Sequence, residues 1–158
     1  VIPRVQIREF LPGGEAAFRR LNAGWITRHF RLEPKDHEAL ADPQTGILAR
    51  GGRIFLAAID GEIVGCCALL RRGADEFEVA KMAVADAHQR RGIGRRLLEA
   101  AIEAARAAGG RRLYLETNHI LKPAIRLYES AGFRRLGSGG LIPSPYRRAD
   151  VYMELMLA

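Results

Sequence analysis

A basic turn, Gln89-Arg90-Arg91-Gly92-Ile93-Gly94, joins two apolar runs and limits how they can be arranged. Before it, Phe77 to Val84 reads as a strand. After it, Arg95 to Ala108 sets Leu97, Leu98, Ala101, Ile102 and Ala105 on one helical face. A strand, a helix and a following strand make a crossover unit, so the next strand must run parallel to the first. The same junction is an anion site. A helix start leaves backbone N–H groups unpaired and carries partial positive charge. Glycines there let a phosphate approach the backbone closely. A ligand bearing a pyrophosphate is the expectation.

The rest of the chain narrows the class. A length of 158 residues suits one domain spanning 1–158 with a single core. Twenty-five Lys/Arg against 18 Asp/Glu give a net charge of +7. Residues 1–70 hold only +1 of it and residues 71–158 hold +6, so the excess accompanies the glycine turn. A basic half can also mean nucleic acid. No helix-turn-helix, zinc-finger spacing or aromatic RNA-binding sheet supports that, so no nucleic-acid partner is expected. Cys66 and Cys67 are adjacent and would point to opposite faces of a strand. They read as buried residues of a reducing compartment. His29, His37, His88 and His119 show no metal-ligand spacing with each other or with the cysteines, so no metal is expected. No stretch approaches the roughly 20 apolar residues of a membrane span, and no signal-peptide core is visible. A cytoplasmic location without membrane association is the expectation.

Val5 to Phe10 alternates as a first strand, and Glu15 to Phe30 has helical spacing. Pro34 and Pro43 bound a shorter helical region that includes His37 to Ala41. Arg53 to Ile59 and Glu62 to Leu70 flank Asp60-Gly61, a two-residue hairpin signal. Arg112 to Glu116 is a strand, Pro123 to Ala131 a helix, and Phe133 to Leu136 and Ala149 to Leu157 the last strands. A Gly/Pro-rich loop, Gly137 to Arg148, separates those two. The result is an α/β fold with a mixed sheet of about seven strands flanked by about four helices.

Two common nucleotide loops fail here. A Walker loop needs Lys-Ser/Thr after its second glycine, where this chain has Arg95-Arg96; a Rossmann fingerprint needs a third glycine, where it has Leu97. The remaining pattern, Q/R-x-x-G-x-G/A, resembles the pyrophosphate loop of the Gcn5-related N-acetyltransferase (GNAT) family. Ala124-Ile125, Leu127-Tyr128 and Gly132-Phe133 resemble that family's A-I-x-L-Y-x-x-x-G-F helix signature at every defined position. Met82-Ala83-Val84 resembles its cofactor-pairing strand, and the order of elements matches from about Val5 to Leu157.

The resemblance implies the GNAT acyl-CoA N-acyltransferase fold and acetyl transfer from acetyl-CoA to a primary amine within a ternary complex. It implies that Gln89, Arg90, Arg91, Gly92, Ile93, Gly94 and Arg95 hold the pyrophosphate, with Arg96 as a further candidate. Met82, Ala83 and Val84 would pair with the pantetheine arm where two strands splay, and an amide there would stabilise the oxyanion. Tyr128 would protonate the departing thiolate. For the base, the resemblance offers Glu116, at the spacing used by bacterial ribosomal-protein N-terminal acetyltransferases, and Glu78, in the strand used by the histone-type branch. Strand parity would put Glu78 on the face of Met82. Many relatives place a cofactor-contacting Asn where this chain has Leu121, and Asn118 is the substitute to test. Trp25, Phe30, Glu33, Asp36, Ser144, Tyr146 and Arg147 occupy the regions that set acceptor specificity in the family. A protein α-amine or lysine as acceptor, a non-catalytic acyl-CoA-binding module and a homodimer are the alternatives the resemblance leaves open.

Overall fold

The computed structural model describes residues 4–137 and 144–157. Its strands are β1 (Val5–Glu9), β2 (Arg53–Ile59), β3 (Glu62–Arg71), β4 (Glu76–Val84), β5 (Arg112–Thr117), β6 (Arg134–Arg135) and β7 (Val151–Met156). They form one seven-stranded sheet in the order β1-β2-β3-β4-β5-β7-β6. Asp60 and Gly61 turn β2 into β3 with φ of 50° and 83°, the doubly left-handed turn that suits the twist of a hairpin. β1 through β4 pair antiparallel, and β4 pairs parallel with β5, as the crossover requires.

The helices are α1 (Glu15–His29), α2 (Pro34–Ala41), α3 (Pro43–Gly46), α4 (Ile93–Ala107) and α5 (Lys122–Ser130). That is five where the sequence predicts about four. Pro43 opens a separate turn of helix, because the Asp42 carboxylate accepts from the Thr45 N–H at 3.2 Å and restarts the chain. α4 begins at Ile93 rather than Arg95, since Gly92 at φ +79° supplies the bend that starts it. Residues 138–143 of the predicted Gly137 to Arg148 loop lie outside the described residues, as do Val1 to Pro3 and Ala158.

Two apolar layers sandwich the sheet. α4 and α5 cover one face, where Leu97, Leu98, Phe77, Leu113 and Tyr128 belong to one cluster. α1 and α2 cover the other, with Phe18, Leu40, Ile54, Leu56 and Ala83. Full burial of Leu97 and Leu98 is worth about 1.5–3 kcal/mol each, so the helix that carries the anion site is firmly seated. Cys66 joins the α1 face and Cys67 the α4 face, and both are free thiols, as strand parity predicts. No helix among the described residues is long and apolar enough to cross a membrane.

Parity fails at one place that matters. On β3 the pairing steps from Cys66 to Ala68 while on β4 it steps from Ala83 to Ala80, so β4 holds an extra residue there. Lys81 takes φ of 54° to absorb it. Val79 and Met82 consequently both pack against the α4 layer. Strand parity predicts that Glu78 shares the face of Met82, and the bulge overturns this: Glu78 lies on the α1 and α2 side, beside Lys81.

Candidate active site

β4 and β5 pair only at Glu76–Arg112, Phe77–Leu113 and Glu78–Tyr114, although β4 continues to Val84 and β5 to Thr117. β5 turns its other edge to β7 and keeps that pairing along its whole length. Beyond Glu78 the two parallel strands part, and the β4 edge facing β5 has no ladder partner among the described residues. A cleft of about 610 Å³ opens there, continuous from Arg90 and Gly92 to Glu116, Tyr146 and Arg148.

Its floor at one end is the start of α4. Arg90 (φ +64°) and Gly92 (φ +79°) both bend left-handed, the kind of backbone that gathers successive amides into an anion-binding concavity. No heavy atom lies within 4 Å of where a Cβ on Gly92 would sit, so the backbone is bare on that side. Gln89 braces the turn by donating to the Val84 carbonyl at 3.1 Å. Arg95 lines the cleft and donates to Ser130 Oγ at 2.6 Å. Gln89, Arg90, Gly92, Ile93, Gly94, Met82, Ala83 and Val84, all positions where the sequence places cofactor contacts, line it too. Arg91 does not. Arg96 points away, donating to the Val5 carbonyl at 2.8 Å.

Tyr128 reaches the cleft from α5, nearly buried and edge-on to Phe133 at 6.1 Å. Burial, and secondarily the Cys67 thiol beside it, push its phenol above the usual tyrosine range, so it stays protonated. Among the described residues its hydroxyl has no hydrogen-bond partner, which leaves that proton available to a ligand. Asn118 lines the same cleft, but its amide is committed to the loop. Nδ2 donates to the Arg148 carbonyl at 2.7 Å and Oδ1 accepts from the Ile120 N–H at 2.9 Å.

Two carboxylates face the opposite end. Glu78 is buried, and Arg72 Nε donates to it at 2.7 Å. Burial pushes its carboxyl up, and the neighbouring Glu116 charge adds to this against the pull of Arg72. Glu116, one residue before the end of β5, accepts from Ser144 Oγ at 2.6 Å. Ser144 Oγ in turn accepts from the Tyr146 N–H at 3.0 Å. The single Ser144 proton is thereby directed at Glu116. No cation pairs with Glu116 among the described residues.

Sequence reasoning missed the cluster behind these groups. Asp36 is fully buried and receives Arg148 through two bonds, at 2.7 and 2.6 Å, while Lys81 Nζ stands 3.5 Å away. Lys81 also donates to the Tyr146 hydroxyl at 2.8 Å, and Arg148 lies 4.4 Å from the centre of the Tyr146 ring. Asp36 meanwhile accepts from the Glu33 N–H at 2.8 Å and caps α2. The first-turn acid therefore serves both helix and cleft. Burial raises its carboxyl, but Arg148, the Glu33 N–H and Lys81 outweigh that and bring it below its usual value. Burial lowers the Lys81 ammonium despite Asp36. The one available signal was a lysine within the apolar stretch Val79 to Val84 of β4, and it reveals nothing of its partner.

The profile of the Acetyltransferase (GNAT) family matches residues 18–133. The chain is 36% identical to the uncharacterized N-acetyltransferase YjgM of Escherichia coli over 119 residues, 70% of this chain and 71% of that protein. In structure it resembles an acetyltransferase of the GNAT family from Staphylococcus aureus, with a TM-score of 0.90 over 98% of this chain and 100% of that one at 21% identity. The putative acetyltransferase yncA of Salmonella typhimurium, solved with its cofactor acetyl-CoA, superposes with a TM-score of 0.76 at 22% identity, over 98% and 95% of the two chains.

Proposed function

This chain belongs to the GNAT acetyltransferase family, and from that premise we propose that it acetylates a primary amine by direct attack, with Glu116 as base and Tyr128 as acid. The observation that carries this is the continuity of the cleft. It runs without interruption from Gly92 to Glu116, passing Tyr128.

The residues suit acetyl-CoA. The left-handed turn at Arg90 and Gly92, with Arg95 beside it, receives the pyrophosphate. The open β4 edge from Met82 to Val84 offers a peptide-like ladder to the pantetheine amides. Bound there, the cofactor supplies an activated acetyl thioester. Glu116 takes the proton that an alkylammonium, with a pKa near ~10.4, must lose before it can attack. An amide of the open β4 edge stabilises the negative charge that builds on the carbonyl oxygen. Tyr128 gives its proton to sulfur as the carbon–sulfur bond breaks and regains the second proton that the nitrogen sheds on becoming an amide, while Glu116 releases the first to solvent. Cys66 and Cys67 take no part as acyl carriers: both are fully buried, and burial pushes the Cys66 thiol up to about 12. Two free thiols in the core also fit a cytoplasmic location.

Steady-state kinetics with acetyl-CoA and a panel of amines tests the assignment. Glu116→Gln and Tyr128→Phe should each lower kcat/KM by roughly 10²–10⁴ while leaving the acetyl-CoA Kd within twofold. An undiminished rate in either variant would remove that residue from the mechanism.

A further inference from the structure

We propose that the acceptor is a cationic amine with no carboxylate beside its amino group, so that α-amino acids are excluded. The inference rests on the reading of Glu116 as base and extends it to substrate class. It follows from which charges at the acceptor end are already answered within the protein. Arg148 and Lys81 face two carboxylates, Asp36 at 2.6 and 3.5 Å and Glu33 at 3.4 Å from Arg148. Glu78 is answered by Arg72. On the far wall Arg28 donates to Asp86 at 2.6 Å.

Glu116 alone among these has no cation. Its two recorded hydrogen bonds come from neutral hydroxyls, Ser144 at 2.6 Å and Tyr114 at 3.4 Å. The acceptor end thus presents one surplus negative charge. An ammonium completes that balance. An α-carboxylate, about one carbon further on, would meet Glu116 at short range with no unpaired Arg or Lys among the described residues that line this end of the cleft to receive it, since detaching Arg148 from fully buried Asp36 would strand a buried charge. Beyond the carboxylates, the cleft wall turns apolar and aromatic through Trp25, Phe30 and Tyr146, which favours an uncharged body behind the amine.

Substrates that differ only by that carboxylate test this directly: tyramine against tyrosine, tryptamine against tryptophan, agmatine against arginine, cadaverine against lysine. Each amine is expected to exceed its amino acid by at least 100-fold in kcat/KM. In calorimetry on the CoA-bound protein, the best amine should bind more tightly than its amino acid, and Glu116→Gln should shrink that preference at least tenfold. Equal or better turnover of the amino acids overturns the inference while leaving acetyl transfer intact, and so does a binding preference that survives Glu116→Gln. Release of no thiol with any acceptor, including peptides with a free N-terminus, would defeat the acetyl-transfer reading itself and this inference with it.

Discussion

On the cofactor side of the cleft, the open strand edge, the turn and the helix start come from one continuous run, Met82 to Arg95, with Tyr128 added from α5. On the acceptor side, Asp36 and Arg148 meet across 112 positions of sequence, and Lys81, Glu116 and Ser144 arrive from three further places. The first region works through backbone amides and bends, which neighbouring residues can specify among themselves. The second works through side-chain charges that must be matched in pairs, and a pair exists only once the whole sheet has assembled. A backbone site tolerates change in its surroundings. A paired-charge site does not, because removing one member leaves the other stranded in a low-dielectric interior.

Breaking the buried pair is therefore the most severe test. Arg148→Met leaves the Asp36 carboxylate buried with only the Glu33 N–H at 2.8 Å and Lys81 at 3.5 Å, and should cost about 3–5 kcal/mol of unfolding free energy. Folded protein should keep its acetyl-CoA affinity within twofold while the acceptor KM rises. Because the folded Asp36 carboxyl lies below its unfolded value of about 3.9, its stabilisation is complete above that pH and is lost as pH falls through the folded value. Denaturant titrations of wild type and Arg148→Met should thus run parallel above pH 5 and converge below about pH 3.9. A gap that stays constant into acid would show that Asp36 is not the partner that matters.

The two halves were also unequally legible in the sequence. The glycine turn, the hairpin at Asp60-Gly61 and the crossover of β4, α4 and β5 follow from local rules, and the resemblance to a known family named the ligand they serve. Glu116 was reachable as a candidate because it lies near the end of a strand at a fixed spacing from Tyr128. The bulge at Lys81 was not, since nothing in Ala80-Lys81-Met82 marks a left-handed residue and period-two reasoning carries straight through it. Glu78 was assigned to the wrong face for that reason alone. Asp36 looked like a first-turn acid and is one, but its second role depends on Arg148, which no local pattern connects to it. Arg91 was placed with Arg90 and Arg95 at the phosphate, and Arg96 was a further candidate; helical periodicity beginning at Ile93, two residues earlier than expected, turns Arg96 toward β1 instead.

A pair of glycine substitutions sharpens the claim that the cofactor side depends on backbone. Gly92→Ala forces a side chain into φ of +79°, and should cost about 1–2 kcal/mol of stability together with roughly tenfold in acetyl-CoA affinity. Gly94 sits inside α4, where an added Cβ would meet only Leu127 Cδ2 at 3.4 Å. Gly94→Ala should leave stability unchanged or slightly raised, and any lost affinity would then report crowding of the ligand rather than strain. Thermal melts with and without acetyl-CoA separate the two. If both variants melted alike and bound alike, the left-handed bend would not be what shapes the site.

The mildest test lies on the acceptor side and asks whether Ser144 orients Glu116 or merely touches it. Its hydroxyl accepts from the Tyr146 N–H and so has one proton, directed at the carboxylate. Ser144→Ala removes a hydrogen bond to a charged group at a half-exposed position, which changes stability by no more than about 0.5 kcal/mol. Where that bond holds the carboxylate in its working position, kcat/KM should fall by roughly tenfold, the equivalent of the about 1.5 kcal/mol that a hydrogen bond to a charged group contributes, with acetyl-CoA affinity unchanged. Glu78, Lys81, Asp36 and Arg148 also face this region, so the same kinetics in Lys81→Met serve as the contrast. A loss there equal to that in Ser144→Ala would assign the effect to the paired cluster instead of to Glu116, and the acceptor side would then owe its chemistry to the pairs rather than to the one carboxylate they leave unmatched.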